Sequence, residues 1–385
     1  MKRRILAYAV ALGGISFAPV HATEPVLNIG VILSTTGPGA SLGKPAEKTV
    51  ALWPERIGGI KTRVTLLNDD TDPTTAARNA SRLIINDSVD VIVGPSLTPS
   101  SIAILDTVAQ HRTPLISLAG GGDIVAPMNG TRKWAFKMSP PEAIAVRKVL
   151  AHMQANQQTR LGAAAITTSY GDGFLKALTE AAPHYGVQLT GVERYNQTDP
   201  SFTAQALKLI AGKPDAIYIF SAGTPGALPQ LELAARNYRG QIYQTQGVAN
   251  ADFLRVGGKI LEGTLLTAGP VLVAEQLPDT HSSKATAVDY VNRYEAAHGP
   301  GSRSLFGASA WTAMLWLDHA VPQALAHAQP GTPAFRSALR DALETMQGVT
   351  TPEGSYSMSA DDHNGAGDDT QVLVRIGHNA WRLAE

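Results

Sequence analysis

The chain of 385 residues contains no cysteine. That excludes disulfide staples, a thiol nucleophile and a lipid tether on a cysteine after an export signal. An excess of one charge is also missing, with 32 basic and 32 acidic residues. A broad basic face of the kind nucleic acid demands is therefore not expected. Long apolar runs are absent as well. The run from Ile5 to Phe17 carries no charge, yet it is shorter than the ~20 residues of a spanning helix. Ten histidines are scattered, with no His-Glu-x-x-His and no local acid–histidine cluster at metal spacing.

What is present begins with an export signal. Lys2, Arg3 and Arg4 precede the apolar run, and Val20-His21-Ala22 supplies small residues at cleavage spacing. Residues 1–22 are expected to be a signal peptide cut after Ala22. A mature chain of this length suggests two domains, and with no cysteine a bacterial periplasm is the expected compartment.

β and α patterns alternate from there on. Strands are expected at Val26–Leu33, Arg63–Asn68, Val89–Val93 and Pro114–Ser117. Helices are expected at Ala46–Arg56, Thr74–Asn86 and Ser100–Gln110. Pro140-Pro141 breaks this run and the alternation restarts. Strands Leu161–Ile166, Val187–Val192, Asp215–Phe220 and Gln241–Thr245 interleave with helices Gly173–Ala182, Phe202–Ile210 and Gly226–Asn237. Helical patterns follow at Ala285–Ala297, Leu305–Ala326 and Ala334–Met346, and Gln371–Ile376 reads as a last strand. Apolar β-branched runs separated by amphipathic helices indicate parallel sheets covered on both faces. Asp72-Pro73 and Thr98-Pro99 read as helix starts, because Asp or Thr accepts an exposed amide and Pro tolerates the first turn.

Open parallel sheets bind ligands at the carboxyl ends of their strands. The loops of interest are thus Ser34–Gly43, Gly94–Pro99, Leu118–Asp123, Thr167–Gly171, Ser221–Pro225 and Gln246–Asn250. The Gly37–Lys44 segment invites a nucleotide reading, but its spacing fails. Leu42 stands where a dinucleotide fingerprint needs glycine, and Pro38 and Pro45 break the Walker pattern. The segment reads instead as a turn of small residues. Asp361, Asp362, His363, Asp368 and Asp369 lie in a Gly-rich stretch without a calcium-loop pattern, which reads as a solvated loop. Trp53, Trp311 and Trp316 sit at helical positions and read as core.

Taken in order, several segments resemble periplasmic binding proteins of the leucine/isoleucine/valine type. They are Ile29-Gly30-Val31-Ile32-Leu33 with Thr36-Gly37-Pro38, Gly58-Gly59-Ile60, Asn68-Asp69-Asp70 with Asp72-Pro73, Val91-Ile92-Val93-Gly94-Pro95, Tyr170-Gly171 and Gly247-Val248-Ala249-Asn250. The resemblance implies a type I periplasmic binding fold: α/β, with two Rossmann-like lobes, parallel-rich sheets and three hinge crossovers. Lobe one would be 26–141 and 270–370, and lobe two 142–269 and 371–385. Pro140-Pro141 and Ala268–Pro270 would be hinge strands. It further implies a substrate-capturing subunit of an ABC importer, a monomer that docks on membrane permease subunits when closed. Neither a cofactor nor catalysis is expected. The alternative roles are a periplasmic sensor for a kinase or chemoreceptor and, behind it, a secreted hydrolase.

The same resemblance places ligand contacts at Leu42, Ser96, Leu97, Thr98, Ala119, Gly120, Gly121, Tyr170, Ala222 and Gln246. Thr98 matches a carboxylate-binding serine, and Gly121 stands where the family has a threonine. Gln246 replaces the glutamate that pairs with a ligand ammonium. Leu42 and Ala222 replace tyrosines. Gly120-Gly121-Gly122 is expected to turn its amides inward as an anion nest. The expected ligand is a small carboxylate, an aromatic or aliphatic acid without an α-amino group, with an uncharged amino acid as the alternative.

Overall fold

The computed structural model describes residues 24–384; the expected signal peptide, residues 1–22, lies outside them. Strands β1 (Val26–Leu33), β2 (Arg56–Ile57), β3 (Ile60–Asn68), β4 (Val91–Val93), β5 (Leu115–Ser117) and β6 (Ala135–Lys137) form one sheet in the order β2-β3-β1-β4-β5-β6. Helices α1 (Ala40–Val50), α2 (Pro73–Ile85), α3 (Thr98–Ala103) and α4 (Leu105–Gln110) connect them. Along β1, Leu27, Ile29, Val31 and Leu33 enter one core while Ile32 enters another. Burial on both faces is what a central parallel strand requires.

The chain then crosses over. Helix α5 (Glu142–Ala155) leads into β7 (Arg160–Ile166), α6 (Ser169–Ala181), β8 (Gln188–Tyr195), α7 (Thr203–Ala211), β9 (Ala216–Phe220), α8 (Ala227–Ala235), β10 (Gln241–Gln244), α9 (Ala251–Gly257) and β11 (Leu265–Ala268). A second crossover brings α10 (Lys284–His298), α11 (Leu305–Leu325), α12 (Pro333–Glu344) and the hairpin β12 (Val349–Thr351)–β13 (Gly354–Tyr356). A third returns the chain to β14 (Val372–Gly377) and β15 (Ala380–Leu383). The second sheet has the order β15-β14-β11-β10-β9-β7-β8. Its neighbouring strands pair parallel except β11–β14 and β14–β15, so β14 alone runs against the rest.

Helices α11 and α12 bury Trp316, Leu317, Phe335 and Leu339 against the first sheet. Trp53 and Trp311 are partly buried against the same core. The segment Val271–Leu277 and α10 instead share a core with β11, β14 and β15. Residues 270–298, expected in lobe one, therefore pack largely on the second sheet. Tyr290 nonetheless reaches α1, its hydroxyl 2.8 Å from that of Thr49.

Several local expectations are corrected. The turn expected through Lys44 ends at Gly39, and α1 starts at Ala40, six residues early. Gly43 serves a close approach: a Cβ there would overlap the Ser34 carbonyl. The helix expected over Ser100–Gln110 is two short ones. Strands β6, β11, β12, β13 and β15 had not been expected; at three or four residues each they are too short to show a period. The acidic stretch near the C-terminus is not a solvated loop at His363. Its ring stacks on Phe136 at 4.3 Å, and its Nδ1 lies 3.0 Å from the Ala135 carbonyl. Among the described residues no helix is long and apolar enough to cross a membrane.

Candidate ligand-binding cleft

Both sheets carry their own reversal of strand order. In the first, the chain moves from β1 outward to β3 on one side and β4 on the other. In the second, β7 is flanked by β8 and β9 in the same way. Loops leaving such a pair of strands diverge and open a crevice at the strands' carboxyl ends. After β1 and β4 come Leu42, Ser96, Leu97 and Thr98. After β7 and β9 come Thr168, Tyr170 and Ala222. All of these line one cavity of ≈ 230 Å³ between the two sheets. That lies below the roughly 300–1,000 Å³ of drug-sized sites, so the occupant is small.

Eight of the ten expected contacts stand on the cavity wall: Leu42, Ser96, Leu97, Thr98, Gly120, Tyr170, Ala222 and Gln246. Ala119 and Gly121 are not among the lining residues. Thr98 was expected to cap its helix; the N-cap is Leu97 and lacks a side-chain bond. The Thr98 hydroxyl instead accepts the Gly121 amide at 3.0 Å. Ser96 Oγ likewise accepts the Ser34 amide at 3.2 Å. A hydroxyl whose oxygen is occupied by a backbone donor keeps its own proton to give. The wall after β4 thus presents Ser96 and Thr98 as donors. By contrast Asp72 caps α2 as expected, accepting the Thr75 amide at 2.7 Å.

The anion nest is not there. Gly121 has φ −71° and ψ 134°, which is extended backbone. Its amide goes to Thr98, and the Gly122 amide goes to Glu142 Oε1 at 2.8 Å. These glycines serve contact rather than charge. A Cβ on Gly120 would come within 2.6 Å of the Tyr170 ring, and one on Gly121 would overlap Thr98. Gly120 thus lets Tyr170, from the second sheet, rest on the loop after β5. Beneath it Lys137 is buried and donates to the carbonyls of Gly120 and Ser139. Burial pushes its ammonium down to about 8, against the pull of Glu142 and Asp362.

Gln246 is a strut. Its Nε2 donates to Ser139 Oγ at 2.6 Å, and its Oε1 accepts from Gln371 Nε2 at 2.6 Å. Asn364 Nδ2 donates to the carbonyls of Lys137 and Ser139, both at 2.7 Å. The first crossover is so tied to the loop after β10 and to the segments around the third crossover.

Part of the wall was not expected at all. Leu305, Phe306 and Ser309 come from the first turns of α11, and Glu353 from the β12–β13 turn. Ser304 was the available signal: its hydroxyl accepts the Phe306 amide at 3.2 Å and starts α11 at the cavity. Glu353 had no signal, since an acid between two short strands reads as solvent-facing. Its Oε1 accepts from Ser309 Oγ at 2.9 Å. Burial raises its carboxyl to about 7, the hydroxyls of Ser309 and Thr312 only partly opposing that.

Two sheets meeting over a small cavity, joined by three crossovers, define a two-lobed solute-binding protein. The chain belongs to the periplasmic binding protein family, whose model matches residues 26–376. An extracellular ligand-binding receptor from Rhodopseudomonas palustris HaA2 is 40% identical, with a TM-score of 0.90 over 94% of this chain and 100% of that one. The Leu/Ile/Val-binding protein homolog 3 of Brucella melitensis is 23% identical over 269 residues, 68% of this chain and 71% of the relative. Two R. palustris solute-binding proteins of ABC transporters share the fold. One, in complex with 3,4-dihydroxybenzoic acid, is 19% identical with a TM-score of 0.78 over 94% of this chain and 96% of that one; the other, with benzoate, is 18% identical at 0.78 over 93% and 95%. The expected type I periplasmic binding fold therefore holds, and the family is one of binding proteins rather than enzymes.

Proposed function

We propose that this chain is the periplasmic capture subunit of an ABC importer for a small carboxylate with an apolar or aromatic body. One observation carries the reading: a single cavity between the lobes has hydroxyl donors on one side and an apolar ring on the other. Ser96 and Thr98 hold unspent protons at the switch point of the first sheet. Charge-assisted hydrogen bonds from such hydroxyls are the strong kind. The buried Lys137 charge lies behind the Gly120 carbonyl and favours an anion there. Tyr170, Leu42, Leu97 and Ile166 supply the face for the ligand body.

No lysine or arginine is among the cavity-lining residues. Gln246 is neutral and already bonded to Ser139 and Gln371, so it offers no counter-charge to an ammonium. Burying an ammonium without one costs several kcal/mol, and the one acid among the lining residues, Glu353, is held protonated by burial up to about pH 7. Aromatic acids bound by fold neighbours agree with an acid lacking the amino group.

Capture works by differential contact. The ligand touches both walls only when the lobes are closed, so binding shifts the hinge equilibrium toward the closed form. That form is the one presented to the permease. Mass spectrometry of the small molecule released on unfolding, followed by calorimetry with benzoate and L-leucine, tests the reading. A released carboxylic acid and benzoate binding are expected. Tight leucine binding without benzoate binding would refute it.

A further inference from the structure

The crossover side of the cavity holds chemistry that the hydroxyl side does not explain. Glu353 Oε2 and Gln371 Oε1 are buried there without a hydrogen-bond partner. Glu353 is 6% exposed and Gln371 2%. The Gln371 amide cannot be turned over freely. Its Nε2 donates to Gln246 Oε1 at 2.6 Å and to the Thr370 carbonyl at 3.1 Å, so the oxygen faces the other way. The two residues are neighbours in space, since Thr370 packs directly on Gly354. Buried polar atoms left unpaired cost about 1–3 kcal/mol each, so native structures rarely keep them.

Resting on the carboxylate reading above, we propose that Glu353 and Gln371 form a second subsite that reads a hydroxyl group of the ligand. The preferred ligand is then a hydroxylated acid, its carboxylate at Ser96 and Thr98 and its hydroxyl toward the crossovers. A hydroxyl has one proton to give and lone pairs to fill. Gln371 Oε1 accepts a hydrogen bond from that O–H. Glu353, as a neutral acid, donates its own to the hydroxyl oxygen. The pair carries no net charge in that state, which complements a hydroxyl and not an ammonium.

Titratable groups near Glu353 do not disturb this. Tyr290 on α10 and Tyr356 on β13 are pushed well above the usual phenol range by burial and stay neutral. Ser309 and Thr312 on α11 contribute only hydroxyls. Asp369 accepts the Ser355 amide and hydrogen-bonds Ser282. Burial holds the Glu353 proton on up to about pH 7. Preference for the hydroxyl is therefore fullest in mild acid and fades as pH rises through that value.

Calorimetry with benzoate, 3-hydroxybenzoate and 4-hydroxybenzoate at about pH 6 and about pH 8.5 tests this. In wild type one hydroxybenzoate is expected to bind roughly tenfold more tightly than benzoate at the lower pH, with a smaller margin at the higher. Glu353→Gln should make the margin independent of pH. Glu353→Leu and Gln371→Leu, checked for folding by circular dichroism, should bring it to within about threefold. Equal affinities for all three acids in wild type would overturn the subsite and leave the carboxylate reading standing. Binding of none of the three acids would overturn the subsite, and a molecule released on unfolding that is not a carboxylic acid would end both. Leucine affinity rising with pH, and lost in Glu353→Gln, would make Glu353 an ammonium partner and overturn the hydroxyl assignment.

Discussion

The two sheets share one order in their parallel cores, β3-β1-β4-β5-β6 and β8-β7-β9-β10-β11, and face the same cavity with different chemistry. The switch point of the first sheet offers Ser96 and Thr98, two hydroxyls steadied by backbone amides. The switch point of the second offers Tyr170 over Phe174, ring centroids 5.0 Å apart, and the small Ala222. The same topology thus places paired hydroxyls at one switch point and a ring at the other, with Leu42 and Leu97 of the first lobe extending the apolar face. Strand order decides where a ligand sits, and the residues just past the strand ends decide what it is.

The sharpest break of that asymmetry is the double variant Ser96→Ala/Thr98→Val. Each hydrogen bond to a charged group contributes about 1.5–3 kcal/mol, so carboxylate affinity should fall about 100-fold or more by calorimetry. Thr168→Ala, a hydroxyl on the opposite jaw, should cost under about threefold. An equal loss from the two would erase the distinction.

A smaller effect is expected where the jaws touch. Gly120→Val puts a branched side chain into the Tyr170 ring and wedges the lobes apart. Affinity should drop roughly tenfold, and small-angle scattering should show less compaction at saturation than in wild type. Unchanged compaction would mean that Tyr170 does not meet the first lobe on closure. On the second jaw alone, Tyr170→Leu should weaken an aromatic acid more than Tyr170→Phe. The ring is worth about 0.5–1.5 kcal/mol beyond its buried area.

The smallest effect concerns stability. The Glu353 carboxyl is raised to about 7 from 4.5 by burial. The folded chain then holds a proton that the unfolded chain has lost. That contribution is complete below about pH 4.5 and is lost as pH rises through about 7. Glu353→Gln lacks it, so the variant's melting temperature should gain on wild type by a few degrees over that interval. Parallel curves would place Glu353 in contact with water.

Much of the architecture was legible because it rests on long periods. Val26–Leu33 reads as a strand and is one, and the Asp72-Pro73 start is capped as its chemistry dictates. The loops after β1, β4, β7 and β9 followed from strand direction alone. What escaped depends on contacts between distant segments. The Gly120–Gly122 run resembles an anion nest in sequence, yet its neighbours Thr98 and Glu142 take two of its amides. Glu353 and Ser309 reach the cavity only because the chain returns to the first sheet after the second crossover. Nothing in their local sequence separates them from surface residues.

A crystal structure of the protein with 4-bromobenzoate, located by its anomalous bromine signal, probes the clamp itself. The carboxylate should lie within hydrogen-bond reach of Ser96 Oγ and Thr98 Oγ1, with the ring against Tyr170 and Leu42. Bromine density outside the space between the sheets, or a carboxylate turned away from both hydroxyls, would contradict it.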